Sequence, residues 1–311
     1  MNVLTTSQIE RFIERGYVHL HQAFSSEQAL LAQQDIWERL ARDEVLSDAP
    51  STWKEPIIYL NETLHTHALS ACKTDRLKDA VEDLVGVGRW LHREDEDGWG
   101  WWPVNFSLGA DQTWEVPAGG WHWDGIHFRH SINSPEQGLL MLCIFSSIES
   151  HGGATLVAEG SHKIVARFLQ AQPEALDLNQ AILNCKSCSP WLADLTETQM
   201  DADTKYDKED FNMWKNSGDR TKRFMENEFM DDYGSRLLVK EAVGEPGDIY
   251  LCHPFLFHAA SQNHLHRPRF MCNKTSPLRE PMQFLRDDHD FSPLERSILI
   301  AISDVNKKSE Y

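Results

Sequence analysis

Two separate stretches of the chain carry residue types that could hold a metal ion. His122 and Asp124 are two positions apart, separated by one residue, in a segment whose sequence predicts an extended conformation. Side chains alternate along a strand, so both would project from one face and could bind a single divalent ion. A histidine from far along the chain would complete a set of two histidines and one carboxylate. That set leaves coordination positions open and suits non-haem Fe(II) oxygenases. His258 is the candidate for this third ligand.

Several other histidines compete for a role, since the chain has 15 of them and His-x-Asp is a weak signal alone. His253 lies five residues before His258, so the two would face opposite sides of a regular strand. His127 and His130 follow the motif and either line a substrate site or are ordinary loop residues. Three more are read as structural or surface residues: His19, His21 and His162.

Composition excludes some classes of partner. The 311 residues are 41% hydrophobic, enough for one large domain. The net charge of −18 argues against nucleic acid and anionic membranes, which require a basic surface. A small anionic substrate remains compatible with a basic pocket inside an acidic protein.

The chain opens without the features of a secretory signal, and its longest apolar run, Leu139 to Phe145, is short against the roughly 20 residues that span a bilayer. We therefore expect a soluble, cytoplasmic protein. Its six cysteines are expected to be reduced thiols. The pair Cys185-x-x-Cys188 has neither a helix-start context nor a second pair, so a redox or zinc function is not favoured.

The first part of the chain has the periodicity of helices. Ser7 with Glu10 fits a capping box, and Gly16 stands where that helix would end. Residues 17–20 read as a short strand, and a second capping box at residues 25–28 begins a longer helix. A further helical stripe is formed by Leu77, Ala80, Val81 and Leu84.

After Trp90 the pattern changes to short strands with glycine and proline between them. Helices followed by many short strands predict a mainly β protein, a sandwich or jelly roll with helices outside it. A polar, helix-prone insertion runs from about residue 163 to 236, and its charged run from Asp201 to Asp210 favours a solvated face. Such an excursion can serve as a lid or a substrate-facing wall. The whole chain, 1–311, is predicted to be one domain.

An ordered series of motifs resembles the phytanoyl-CoA dioxygenase family of Fe(II)- and 2-oxoglutarate-dependent oxygenases over most of the chain. The resemblance implies a double-stranded β-helix (jelly-roll, cupin-like) core with a helical N-terminal region and a helical insertion. The motifs that carry it are Gly-Tyr-Val-His-Leu at 16–20, His122-x-Asp124, Gly-Ser-His-Lys at 160–163, Pro-Gly-Asp at 246–248, and His-Pro-Phe-Leu-Phe-His-Ala-Ala-Ser-Gln-Asn at 253–263.

The resemblance also implies roles for individual residues. His122, Asp124 and His258 would hold Fe(II), because the family pattern places the ligand at the second histidine of the 253–258 block. Arg269 would bind the distal carboxylate of 2-oxoglutarate, and a guanidinium fork suits a carboxylate. Arg267 would share the face of Arg269 and is a rival. With O2 as the further co-substrate, a C–H bond of a small organic substrate would be oxidised, most simply hydroxylated, with release of succinate and CO2.

One position departs from the family pattern. A hydroxyl residue often stands two positions after the distal histidine and helps to bind the co-substrate, but here that residue is Ala260. Asn105 is a candidate replacement for the polar contact, and Thr155 is a weaker one. Related halogenases replace the carboxylate ligand with a small residue, so the presence of Asp124 favours hydroxylation, desaturation or ring closure.

Two other classes of function are compatible with parts of the pattern. A non-catalytic jelly-roll protein with a binding or regulatory role could retain the metal site as a remnant. A zinc hydrolase would use two histidines and a carboxylate but would not explain the arginine. The motif tryptophans, Trp114, Trp121 and Trp123, fit an apolar substrate wall and core packing equally well.

Overall fold

Helices and antiparallel strands share the chain in the computed structural model, which describes residues 3–91, 98–198, 219–286 and 290–308. The helices are α1 (Thr6–Arg15), α2 (Ser26–Ala41), α3 (His67–Ala71), α4 (Asp75–Val85), α5 (Ser161–Gln170), α6 (Leu178–Lys186), α7 (Pro190–Leu195) and α8 (Pro293–Lys308). The strands are β1 (Tyr17–Leu20), β2 (Ile57–Leu60), β3 (Trp102–Asn105), β4 (Leu139–Ile144), β5 (Leu156–Glu159), β6 (Phe229–Met230), β7 (Arg236–Glu241), β8 (Ile249–Cys252), β9 (His258–Ala259) and β10 (Met271–Ser276).

The described strands form two four-stranded sheets, in the orders β1-β8-β4-β10 and β6-β7-β5-β9, and a two-stranded sheet of β2 and β3. Every pairing between them is antiparallel. More of the described residues lie in helices than in strands, so the protein is a mixed helix and sheet structure. The expectation of a mainly β protein underestimated the share of helix, whereas α5, α6 and α7 agree with the helix-prone character predicted for the insertion.

Strand β4 is buried on both faces, and this explains its unbroken apolar sequence. Its odd-numbered residues, such as Met141, belong to the larger core together with helical residues. Its even-numbered residues, such as Leu142, belong to a smaller core. That smaller core also contains Met271 from β10 and Val157 from β5, so it joins the two four-stranded sheets. Polar residues on these inner faces are therefore removed from water.

Helix α1 begins two residues earlier than the sequence pattern indicated. Its N-cap is Thr5, whose hydroxyl accepts a hydrogen bond from the Gln8 amide at 3.3 Å, while Gln8 Oε1 accepts one from the Thr5 amide at 3.0 Å. The pairing of Ser7 with Glu10 was wrong because two overlapping registers satisfy the same motif. The second capping box, Ser25 with Gln28, is confirmed.

The start of the insertion is part of the core. Helix α5 is buried along most of its length and packs against α8. The charged run from Asp201 to Asp210 lies outside the described residues. Cys185 and Cys188, like the other four cysteines, form no disulfide within the described residues. Within the described ranges, no helix combines the length and the apolar character needed to cross a bilayer.

The two candidate caps of α1 give a direct test. Thr5→Ala should lower the free energy of unfolding by about 1 kcal/mol, since it removes the acceptor for the Gln8 amide. Ser7→Ala is the matched control and should be neutral or slightly stabilising, because alanine favours a helix interior. Chemical denaturation of both variants measures the difference. A larger loss for Ser7→Ala would place the cap at Ser7 instead.

Candidate metal centre

A reciprocal backbone bridge brings the two motif histidines together. The His122 amide donates to the His258 carbonyl at 3.0 Å, and the His258 amide donates to the His122 carbonyl at 2.8 Å. The two imidazole rings lie side by side with centroids 4.4 Å apart. His258 is fixed on its other side by β5, where it pairs with Val157. The bridge therefore fixes the spacing of the rings through the main chain.

Asp124 completes a compact group of three possible ligand atoms. Its Oδ1 lies 3.4 Å from His122 Nε2 and 3.7 Å from His258 Nε2. All three ligand atoms are within 4.8 Å of one another. Ligands about 2.1 Å from a shared ion stand roughly 3.0 to 3.4 Å apart. Small side-chain movements would bring these three atoms onto one ion.

Backbone carbonyls orient both rings. Gly120 O lies 2.6 Å from His122 Nδ1, and Leu256 O lies 3.1 Å from His258 Nδ1. A carbonyl only accepts, so each Nδ1 carries the proton and donates, and each Nε2 keeps its lone pair for the centre. This is the tautomer that a metal ligand requires.

The charges in the group also suit a cation. Burial, followed by the charge of His122, lowers the pKa of His258 to about 4, so this ring is neutral near pH 7. Burial alone would raise the pKa of Asp124, but the two histidines outweigh it and lower the pKa below its ordinary value. Burial lowers the pKa of His122, and the larger combined effect of Asp124 and the Gly120 carbonyl raises it. A neutral imidazole and an ionised carboxylate are the forms that bind metals.

The Nε2 atom of His258 is available to bind a metal ion. His258 is 3% exposed, and its buried Nε2 has no hydrogen-bond partner among the residues that the structure describes. Leaving such an atom unsatisfied costs free energy, and buried polar atoms in native proteins are usually paired. A bound cation facing Asp124 would satisfy this nitrogen, so the residues fit a metal ion.

A third histidine, His130, forms hydrogen bonds within the loop that follows His122-x-Asp124. Trp123 Nε1 donates to His130 Nδ1 at 3.2 Å, and His130 Nε2 then donates to the Gly125 carbonyl at 2.9 Å. His130 is 2% exposed, while His127 is exposed. Of the two readings for these residues, His130 follows the structural one. It contacts the residues on both sides of Asp124, through the Trp123 side chain and the Gly125 carbonyl.

Arg269 is a buried arginine. Its main chain pairs with that of Asn105, and it stands two residues before Met271, which belongs to the core between the sheets. Its Nε donates to the Gly153 carbonyl at 2.9 Å, and its Nη1 is buried without a hydrogen-bond partner. Burial lowers the pKa of Arg269 to about 10, so the guanidinium remains charged at neutral pH.

The rival arginine has a different environment. The Arg267 side chain is 60% exposed, and its Nη2 lies 2.6 Å from Glu149 Oε1 in a surface ion pair. Arg269 is 2% exposed. Of the two guanidinium groups, only that of Arg269 is enclosed by the protein and able to receive a buried anion.

The two candidate polar contacts are both buried. Asn105 donates from Nδ2 to the Ser261 carbonyl at 3.1 Å and accepts from the Leu108 amide at 3.0 Å, which leaves one amide proton. The Thr155 hydroxyl lies 3.2 Å from the sulfur of Met271, a weak acceptor. Because that bond is weak, Thr155 can redirect its hydroxyl at lower cost than Asn105.

The remaining rivals lie elsewhere in the core. His253 accepts from the Phe255 amide at 3.1 Å, and its ring packs against Phe12 and His162. His162 Nε2 lies 3.1 Å from the Ile13 carbonyl, in agreement with a structural role. Neither belongs to the group formed by His122, Asp124 and His258.

The described ends of the insertion reach the segment that precedes the motif. Arg220 donates from Nε to the Val116 carbonyl at 2.8 Å and from Nη2 to the Pro117 carbonyl at 3.1 Å. Lys186, at the end of α6, is close enough for its charge to lower the pKa of His122. Sequence periodicity gave no signal for either contact, since both depend on how the insertion folds back.

Comparison with known proteins gives structural neighbours only. No protein family model matches the chain, and no curated protein matches it. Neighbours include EctD from S. alaskensis with 2-oxoglutarate and 5-hydroxyectoine, at 16% identity and TM-score 0.44, covering 88% of this chain and 75% of that one. HygX from Streptomyces hygroscopicus, with nickel and 2-oxoglutarate, has 14% identity and TM-score 0.45, covering 93% and 95%. The epimerase SnoN, with Fe3+, α-ketoglutarate and nogalamycin RO, has 14% identity and TM-score 0.45, covering 90% and 95%.

These values are too low to transfer a function. The phytanoyl-CoA dioxygenase resemblance therefore stays a prediction, and the chemistry has to be argued from the side chains of this chain.

The geometry predicts which histidine controls metal affinity. His258→Ala should weaken Fe(II) binding by at least the roughly 10- to 100-fold that changes around metal ligands cost, because a ligand atom is lost. His127→Ala removes a nearby exposed ring and is the matched control. Anaerobic calorimetric titration gives both dissociation constants. Equal affinity in His258→Ala and wild type would exclude His258 from the ligand set.

Proposed function

We propose that this protein is a non-haem Fe(II)- and 2-oxoglutarate-dependent dioxygenase that oxidises, and in the simplest case hydroxylates, a C–H bond of a small organic molecule. The observation that supports the proposal has two parts. One is the cluster of possible metal ligands formed by His122, Asp124 and His258, in which His258 Nε2 lies 3.7 Å from Asp124 Oδ1. The other is the enclosed guanidinium of Arg269.

Each proposed ligand contributes in a different way. His122 and His258 offer Nε2 atoms whose orientation is set by main-chain carbonyls, and the His258 ring is neutral near pH 7. Asp124 contributes the one negative charge, which partly neutralises a divalent ion. Three ligands on one side of an ion leave its other positions open. Fe(II) with 2-oxoglutarate, when bound there, would supply the activation of O2 and the oxidation of substrate, with succinate and CO2 as by-products.

Arg269 is the proposed anchor of the co-substrate. A dicarboxylate that meets the ion through one end has a second carboxylate to neutralise, and a guanidinium binds a carboxylate through two parallel hydrogen bonds. With Nε held by the Gly153 carbonyl, the Nη groups of Arg269 are kept in one orientation. Thr155 and the remaining amide proton of Asn105 are the polar groups proposed to replace the hydroxyl absent at Ala260.

The insertion and the motif loop are proposed to form the substrate side. Ile126, two residues after Asp124, is 67% exposed and offers an apolar side chain on the motif loop. Lys186 provides a positive charge near His122. A substrate with an apolar portion and an anionic group suits this combination, and the part of the insertion around α6 would act as wall or lid.

The role of Arg269 can be separated from that of its neighbour. Arg269→Lys keeps a positive charge but loses the fork, and losing a charge-assisted hydrogen bond of about 1.5–3 kcal/mol should weaken 2-oxoglutarate binding roughly 10- to 100-fold. Arg267→Lys, on the exposed pair with Glu149, is the matched control and should leave the affinity unchanged. Anaerobic titration of the Fe(II) protein with 2-oxoglutarate, followed through the visible charge-transfer band, measures both. The proposed anchor is refuted if the Arg267 variant loses the affinity instead.

Loss of the carboxylate should abolish turnover. Asp124→Ala is expected to remove succinate formation while the circular dichroism spectrum stays that of the wild type, because Asp124 lies in a loop and is partly exposed. Wild type should release succinate with O2, Fe(II) and 2-oxoglutarate, and a true substrate should increase that release. A folded wild type without the charge-transfer band or any succinate would favour the non-catalytic alternative.

A further inference from the structure

A second group of metal-binding side chains lies outside the site already described. It combines His19 in β1 and His21 just after it with Asp248, the residue before β8. The register of β1 and β8 pairs His19 with Tyr250. Residues two apart on a strand share a face, so this pairing brings the two rings and the Asp248 carboxylate to one side of the sheet.

Both rings are directed at one carboxylate oxygen. Asp248 Oδ2 lies 2.9 Å from His19 Nε2 and 3.2 Å from His21 Nδ1. The ring centroids are 4.0 Å apart, and all three ligand atoms lie within 4.8 Å of one another. These separations are close to the roughly 3.0 to 3.4 Å expected of ligands around one ion with bonds near 2.1 Å.

The surrounding backbone holds this arrangement in place. Asp248 Oδ1 accepts from the Gln22 amide at 2.9 Å, which leaves Oδ2 facing the rings with one long contact, at 3.3 Å, from the Glu245 amide. The His19 ring stacks on Tyr250 with centroids 4.3 Å apart. A Cβ at Gly244 would lie 3.0 Å from Asp248 Oδ2, so glycine keeps this space clear.

Exposure within the group is graded. The side chain of Asp248 is 5% exposed, that of His19 is 22% exposed and that of His21 is 73% exposed. The Asp248 carboxylate is buried and the His21 ring is exposed to solvent. A metal ion could therefore enter from the His21 side and keep water molecules as its remaining ligands. Two imidazoles and one carboxylate suit Zn2+, Ni2+ or Cu2+, whereas Mg2+ and Ca2+ prefer oxygen ligands.

We propose that His19, His21 and Asp248 form a second metal site, for a divalent transition ion of which Zn2+ is the representative. The ion would join β1, which follows the first helix, to β8, which precedes the segment leading to His258 in β9. It would stabilise the folded chain and take no part in the oxidation. Two histidines that only donate hydrogen bonds to a shared carboxylate are the competing interpretation.

The test removes the first site before counting zinc. In a background of His122→Ala and Asp124→Ala, the full chain should retain one Zn2+ per molecule after equilibrium dialysis and elemental analysis. Adding His19→Gln and His21→Ala should abolish that ion. His19→Gln keeps a side-chain donor within reach of Asp248, so the turn is preserved. Equal zinc contents in the two proteins would overturn the proposal, whatever the fate of the proposed catalysis.

Measuring the melting temperature with and without Zn2+ shows whether each variant is folded and whether zinc stabilises it. Zn2+ should raise the melting temperature of the first-site background, because an ion that binds only the folded state stabilises it. His21→Ala alone, on the most exposed ring, should weaken zinc binding by more than roughly tenfold and remove that rise. His67→Ala is the matched control, since His67 is exposed and lies outside both groups. A zinc-dependent rise that survives His21→Ala would contradict the site.

Discussion

The pair of main-chain hydrogen bonds between His122 and His258 is the constraint on which the candidate centre depends. Side chains alone would not keep two imidazoles 4.4 Å apart, because each has rotamers that separate them. The bridge fixes both Cα positions, and the Gly120 and Leu256 carbonyls then fix the rings. Two further contacts position the same residues: β5 pairs with His258, and His130 hydrogen-bonds to the residues on either side of Asp124.

Burial influences the protonation of His258 and Arg269. The same low-polarity surroundings lower the pKa of His258 and of Arg269, yet the two outcomes differ. The imidazole is left neutral at physiological pH and the guanidinium stays charged, because its ordinary pKa is far higher. Burial thus leaves a neutral ring at His258 and a positive charge at Arg269. Asp124, partly open to solvent, keeps its negative charge beside His258.

Strand periodicity and short motifs predicted a large part of this arrangement. The strand at residues 17–20, the capping box at residues 25–28 and the coming together of His122, Asp124 and His258 agree with expectations from residue types and from the family resemblance. The start of α1 was wrong because Thr5 and Ser7 present the same local signal. Only packing against the rest of the chain decides between such registers.

Contacts between distant segments could not be read from the sequence. The exposure of Arg267 against the burial of Arg269 depends on which strand covers them, and both fit an alternating pattern equally well. Helix α5 was read as part of a polar excursion because its lysine and histidine conceal its packing against α8. The convergence of His19 and His21 on Asp248 required a strand pairing that no local pattern announces.

The His122–His258 bridge also has a kinetic consequence. Its two halves are more than a hundred residues apart in the chain, so closing it costs loop entropy that only a nearly complete sheet can offset. The ion-binding geometry can therefore exist only near the end of folding. A nascent or partly folded chain would lack the bridge, and the spacing of the two rings would be set only once the native topology is reached.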